Sequence, residues 1–131
     1  MHRAPIALAA AGSALVLGLA VGAPSAGATT TDTTPPTTPT GLHQLDPDAP
    51  ASVSTLAWNA STDTSGAIAH YWVRNLDLGN RSRPVATSMH VSGLLYAYCA
   101  TVPKTIHVAV QAVDAAGNLS AYSAPILVQI N

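Results

Sequence analysis

From Leu42 to Ile130 apolar residues recur at every second position in short runs, separated by turn-forming residues, and no stretch follows a helical period. Alternation of this kind predicts strands that bury one face. The first is Leu42 to Leu45, ended by Asp46-Pro47-Asp48; the second is Ser52 to Trp58, with Leu56 and Trp58 on one face and Thr55 and Ala57 on the other. A loop from Asn59 to Gly66 leads into Ile68 to Asn75, where Tyr71 and Val73 alternate with His70, Trp72 and Arg74. A polar turn through Asp77 to Asn80 precedes a strand from Arg83 to Val91, which Ser92-Gly93 breaks. Leu94 to Val102 reads as a buried strand whose two faces the pattern does not separate, and Pro103-Lys104 makes a corner. Ile106, Val108, Val110 and Ala112 then share one face, with His107, Ala109, Gln111 and Val113 on the other. Asp114 to Asn118 is a turn, and Ile126, Val128 and Ile130 mark a last strand entered through Pro125, a position that a strand start tolerates. About seven strands within about 90 residues imply an all-β, two-layer antiparallel sandwich.

The N-terminal region has a different character. After Met1, His2 and Arg3, the run Ile6 to Val21 contains apolar residues, glycine and one serine, and at 16 residues it is short of the roughly 20 that a membrane helix needs. Pro24 to Ala28 supplies small residues at the positions a signal peptidase reads, so residues 1–28 are expected to be a cleaved export signal that makes the protein secreted. The rivals are a retained anchor and a lipoprotein signal; no cysteine lies near the cut and no basic cluster follows the apolar run. Residues 29–40, almost wholly threonine and proline, read as an extended linker, and residues 41–131 as one folded domain.

Charge and cysteine content narrow the function classes. Beyond residue 28 the chain carries Arg74, Arg81, Arg83 and Lys104 against six aspartates, a formal charge of −2, which offers no electrostatic reason to expect nucleic acid. Cys99 is the single cysteine, so no intramolecular disulfide forms; its apolar surroundings favour a buried thiol over one paired with another chain.

Several segments together resemble a fibronectin type III domain of the bacterial exported kind. They are Asp32 to Leu42, Leu56-Ala57-Trp58 followed by Ala60-Ser61-Thr62-Asp63, Tyr71-Trp72-Val73-Arg74, and above all Val108 to Ser120. The resemblance implies an immunoglobulin-like sandwich with Trp58 between the sheets and a tight loop at Asp114 to Asn118. Domains of this kind often accompany secreted glycoside hydrolases, and with the last strand running to Asn131 any hydrolase is expected to be a separate protein. Three departures stand out. Ile106 occupies the position of the family's corner tyrosine, Ser54 stands where an aliphatic residue is usual, and Gly93 to Pro103 is long, so that Tyr96 or Tyr98 could supply the anchor.

No set of residues suggests catalysis. Glutamate is absent, no two of the aspartates are placed as a working pair, and Asp46 and Asp48 are ordinary turn residues. The chain is therefore expected to be no enzyme and to hold no cofactor. A metal site would need His43, His70, His90 and His107 to converge, yet none are at ligand spacing; His70 and His107, on neighbouring strands, are the pair that could meet, against the plainer reading of two solvated rings. The triplets at Asn59, Asn80 and Asn118 fit the N-glycosylation pattern but sit in a chain with a bacterial type of export signal. The candidate contact face is Trp72 with His70, Arg74 and Gln111, an outward indole suited to stacking on a sugar or anchoring a partner, unless the Arg83 to Val91 segment covers it. The expected role is a secreted, non-enzymatic binding or spacer module for an extracellular protein or polysaccharide, or alternatively an accessory in polysaccharide degradation.

Overall fold

The computed structural model describes residues 31–64, 66–95 and 104–131. The export signal, Cys99, Tyr96, Tyr98 and most of the expected strand from Leu94 to Val102 lie outside them. Seven strands form among the described residues: β1 (Thr40–Leu45), β2 (Thr55–Asn59), β3 (Ile68–Asn75), β4 (Arg81–Ser82), β5 (Ser88–His90), β6 (Thr105–Asp114) and β7 (Ile126–Gln129). They make two antiparallel sheets, β1-β2-β5 and β4-β3-β6-β7, which is the all-β sandwich expected from the alternation.

Because side chains alternate across a strand, each inner face is apolar and the two faces close on one core. Leu56 and Trp58 from β2 meet Tyr71 and Val73 from β3, Ile106, Val108, Val110 and Ala112 from β6, and Val128 from β7. The Trp58 and Tyr71 rings pack edge to face with centroids 5.4 Å apart. Ile106, at the position of the missing corner tyrosine, is fully buried, so it contributes packing instead of a hydroxyl. Ser54 is also fully buried; its hydroxyl donates to the Leu45 carbonyl and accepts from Gln44 Nε2, which supplies the polar partners that a buried hydroxyl requires.

Three segments depart from the strand expectations. The Arg83 to Val91 stretch holds one short strand, β5, and is preceded by β4, since the chain changes sheet between them. The Pro84 carbonyl still accepts from Tyr71 N in the four-stranded sheet, whereas the Thr87 carbonyl accepts from Trp58 N in the other. Val91–Leu94 forms a turn of 3-10 helix that buries Val91 and Leu94, so the strand expected from Leu94 does not begin there. The second strand starts at Thr55 because residues 51–53 form a turn in which Val53 is exposed.

Residues 31–39 carry no strand but lie against the sandwich. Pro36 and Pro39 are buried, Thr37 N donates to the Thr62 carbonyl, and Asn118 Nδ2 donates to the Asp32 carbonyl. A polyproline-like segment has no internal hydrogen bonds, which leaves its backbone free to take partners from the neighbouring loops. Along the β1 and β7 edges the Gln44 amide donates to the Gln129 carbonyl and accepts from Gln129 N, joining the two sheets.

Candidate ligand-binding face

The outer face of the four-stranded sheet is built in large part by β3. With Tyr71, Val73 and Asn75 directed inward, β3 presents His70, Trp72 and Arg74 on the other side. The register sets Trp72 opposite Gln111 and Arg74 opposite Ala109 on β6, and Arg74 opposite Arg81 on β4. The four expected residues therefore share one face.

Their environment differs from an open platform. Trp72 is half-buried, and the Arg81 guanidinium lies 4.1 Å from its ring centroid, a cation–π contact that occupies one side of the indole. His70, expected outward and solvated, is only 8 % exposed; its ring and that of Trp72 meet edge to face with centroids 5.2 Å apart. Arg83 Nη2 lies 3.2 Å from His70 Nδ1. As a guanidinium only donates, that nitrogen accepts, which places the imidazole proton on Nε2. Burial first, and then the Arg83 charge, hold the His70 pKa below the usual histidine value. Gln111 Nε2 donates to the Ser120 carbonyl, which fixes the amide beside the indole. Ala109 and Val113, on the same side of β6, are buried, so the accessible part of the face lies towards β3 and β4.

Arg81 and Arg83 were not singled out from the sequence; Arg81 in β4 and Arg83 just beyond it reach this face through Trp72 and His70. With Arg74 they bring every arginine beyond residue 28 to one side of the protein, and each is exposed. The fold thus collects on one face charges that are scattered along the chain. The ion pair found among the described residues lies elsewhere, between His107 Nδ1 and Asp77 at 3.1 Å.

The histidines do not converge. His70 pairs with Val113 near one end of β6 while His107 lies six residues back along the same strand, about 20 Å away at the usual rise. His43 Nδ1 bonds the Gly41 carbonyl, and His90 Nδ1 lies near Thr55 Oγ1.

The aspartates do what the sequence did not suggest. Carboxylate oxygens of Asp32, Asp63 and Asp114, from three separated segments, lie within 4.8 Å of one another. Burial alone would raise the Asp114 carboxyl, but hydrogen bonds from the Asn118 side chain and from the backbone N–H groups of Asn118, Gly117 and Ala116 outweigh it and hold the group below the usual carboxylate range. Three carboxylates are the oxygen chemistry of a hard cation such as Ca²⁺, though they supply fewer than the about six to eight ligands that ion takes. The residues that hold the cluster are structural. The Gly117 φ of 93° closes the β6–β7 loop, and the Tyr71 hydroxyl accepts from Ser61 N at 3.0 Å and fixes the loop that carries Asp63.

Comparison with known proteins places this geometry on a recurrent scaffold. No family model matches the chain, and no curated protein matches it. Among solved structures it is similar to part of the chitinase ChiA74 from Bacillus thuringiensis, with a TM-score of 0.60 and 24 % identity over 76 % of this chain and 14 % of that one. It is also similar to part of the Clostridium perfringens spore cortex lytic enzyme SleM, with a TM-score of 0.52 and 20 % identity over 73 % of this chain and 29 % of that one. The chain thus spans less than a third of the length of either neighbour, and the likeness is one of fold. No helix among the described residues is long and apolar enough to cross a membrane.

Proposed function

We propose that this protein is a secreted, non-enzymatic module of the fibronectin type III kind that contacts an extracellular glycan through the outer face of its four-stranded sheet. The observation that carries this reading is the cluster of Trp72, His70, Arg74 and Gln111 on one face, with Arg81 and Arg83 at its edge. An aromatic ring fixed between planar hydrogen-bonding groups is the usual makeup of a surface that recognises a polar partner with apolar ring faces. Sandwich segments of the same fold occur within a chitinase and a spore cortex lytic enzyme, which supports a carbohydrate-associated role. Residues 1–28 have the composition of an export signal, which supports secretion.

Co-sedimentation of the purified protein with insoluble chitin, cellulose and cell-wall glycans tests the proposal. Retention on a glycan that disappears in Trp72→Ala, with the circular dichroism spectrum preserved, is the expected result. Absence of retention on every glycan would replace it with a spacer or protein-binding role.

A further inference from the structure

We propose, resting on the glycan-contact reading above, that the β3–β4 side of this face binds a carboxylate-bearing polysaccharide, a uronic-acid polymer, through Arg74, Arg81 and Arg83. Arg74 and Arg81 are register partners across an antiparallel pair, so their Cβ atoms stand about 5 Å apart, and like charges placed there oppose folding. None of the three arginines takes part in the ion pair among the described residues, which is His107 with Asp77. An anion placed between Arg74 and Arg81 relieves the repulsion, so the ligand contributes what the fold lacks.

Arg81 is held on the Trp72 ring and Arg83 against His70, so two of the three guanidiniums are already placed and lose less freedom on binding. A guanidinium stacked on a ring still offers its in-plane N–H donors, and the planar fork matches a carboxylate. With Arg81 over Trp72 and Arg83 against His70, the two lie on one side of the sheet, two residues and so at most about 7 Å of backbone apart, and a linear polymer with an anion on every unit meets successive guanidiniums. Beside them the half-buried Trp72 indole keeps an exposed apolar part against which the C–H face of a sugar packs, a contact that a phosphate ion does not make. With a formal charge of −2 beyond residue 28, the protein attracts a polyanion at this face and repels it elsewhere, which fixes the side of approach.

The test is retention of the purified protein on immobilised polygalacturonate, with neutral chitin and poly-glutamate run in parallel. Retention on polygalacturonate at low ionic strength is expected, stronger than on poly-glutamate and suppressed by added salt. Arg74→Gln and Arg81→Gln should each weaken it by about tenfold, the loss of one charge-assisted contact, and Arg81→Lys, which keeps the charge without the fork, should fall between. Unfolding midpoints at or above that of the unaltered protein identify variants that remain folded; if Arg81→Gln does not fold, Arg83→Gln and the salt dependence of the unaltered protein decide. No retention on polygalacturonate, equal retention on poly-glutamate, or retention indifferent to these arginines would overturn the inference. Retention on chitin that depends on Trp72, without retention on polygalacturonate, would overturn it while leaving the glycan-contact reading in place. Absence of binding to any glycan would overturn both.

Discussion

The Tyr71 hydroxyl offers a well-defined perturbation of the scaffold that carries both the outer face and the carboxylate cluster. Its ring is 2 % exposed and packs against Trp58, and its oxygen accepts from Ser61 N at 3.0 Å, in a residue that is itself 6 % exposed. In Tyr71→Phe the ring remains and the acceptor is lost, which leaves the buried Ser61 N–H without its partner. An orphaned buried donor costs about 1–3 kcal/mol, and no cavity term adds to it because one small polar atom is removed. For a domain of this size, about 2 kcal/mol corresponds to a midpoint lower by roughly 8–16 °C. Urea unfolding followed by tryptophan fluorescence measures this directly, and the denaturant slope should not change, since the same surface is exposed on unfolding. Tyr71→Ala should cost more, about 3–5 kcal/mol, through lost packing against Trp58. A Tyr71→Phe variant within about 0.5 kcal/mol of the unaltered protein would refute the claim that this bond anchors the loop from Asn59 to Gly66.

Other consequences concern backbone conformation and titration. Gly117→Ala should destabilise by about 1 kcal/mol for conformational reasons alone, since φ is 93° and an added Cβ would meet nothing within 4 Å; urea unfolding with no loss of stability would contradict this. The His70 pKa lies below its unfolded value of 6.5, so the unfolded chain takes up a proton more readily; stability should be fully present above pH 6.5 and decline as pH falls from there through the folded value. An NMR titration should find His70 below the usual range and closer to it in Arg83→Gln, and an unshifted His70 would contradict the account. The backbone N–H of His107 first, and its ring second, hold the Asp77 carboxyl below the unfolded value of 3.8, so the stability this group contributes is present above pH 3.8 and lost as pH falls through the folded pKa. Asp77→Asn should flatten the acid limb of the stability profile, and an unaltered limb would show that the pair contributes nothing.

Much of the fold was legible because period-2 alternation reports directly which residues face a core. The β3 and β6 strands were placed to within a residue or so at each end, and all four apolar residues of the inner β6 face are fully buried. The segment from Arg83 to Val91 was misread as one continuous strand because alternation continues through a change of sheet: the pattern records burial but not which sheet supplies the hydrogen bonds. The threonine and proline stretch was read as a tether because composition describes what a segment does alone. Pro36 and Pro39 are nevertheless buried, and the segment bonds to Thr62 and Asn118 from elsewhere in the chain. The same limit applies to the site. Trp72, His70, Arg74 and Gln111 followed from alternation, whereas Arg81 over the indole and the meeting of Asp32, Asp63 and Asp114 depend on register and loop closure between distant segments.

The central claim, that the β3–β4 side of the outer face is the contact surface, is tested most directly by mapping backbone amide shifts in an NMR titration with a soluble oligogalacturonate. The account predicts saturable shifts at His70, Trp72, Arg74, Arg81 and Arg83, and none at the three-stranded sheet. Shifts confined to the loops around Asp32, Asp63 and Asp114, or spread without saturation over the whole surface, would contradict it.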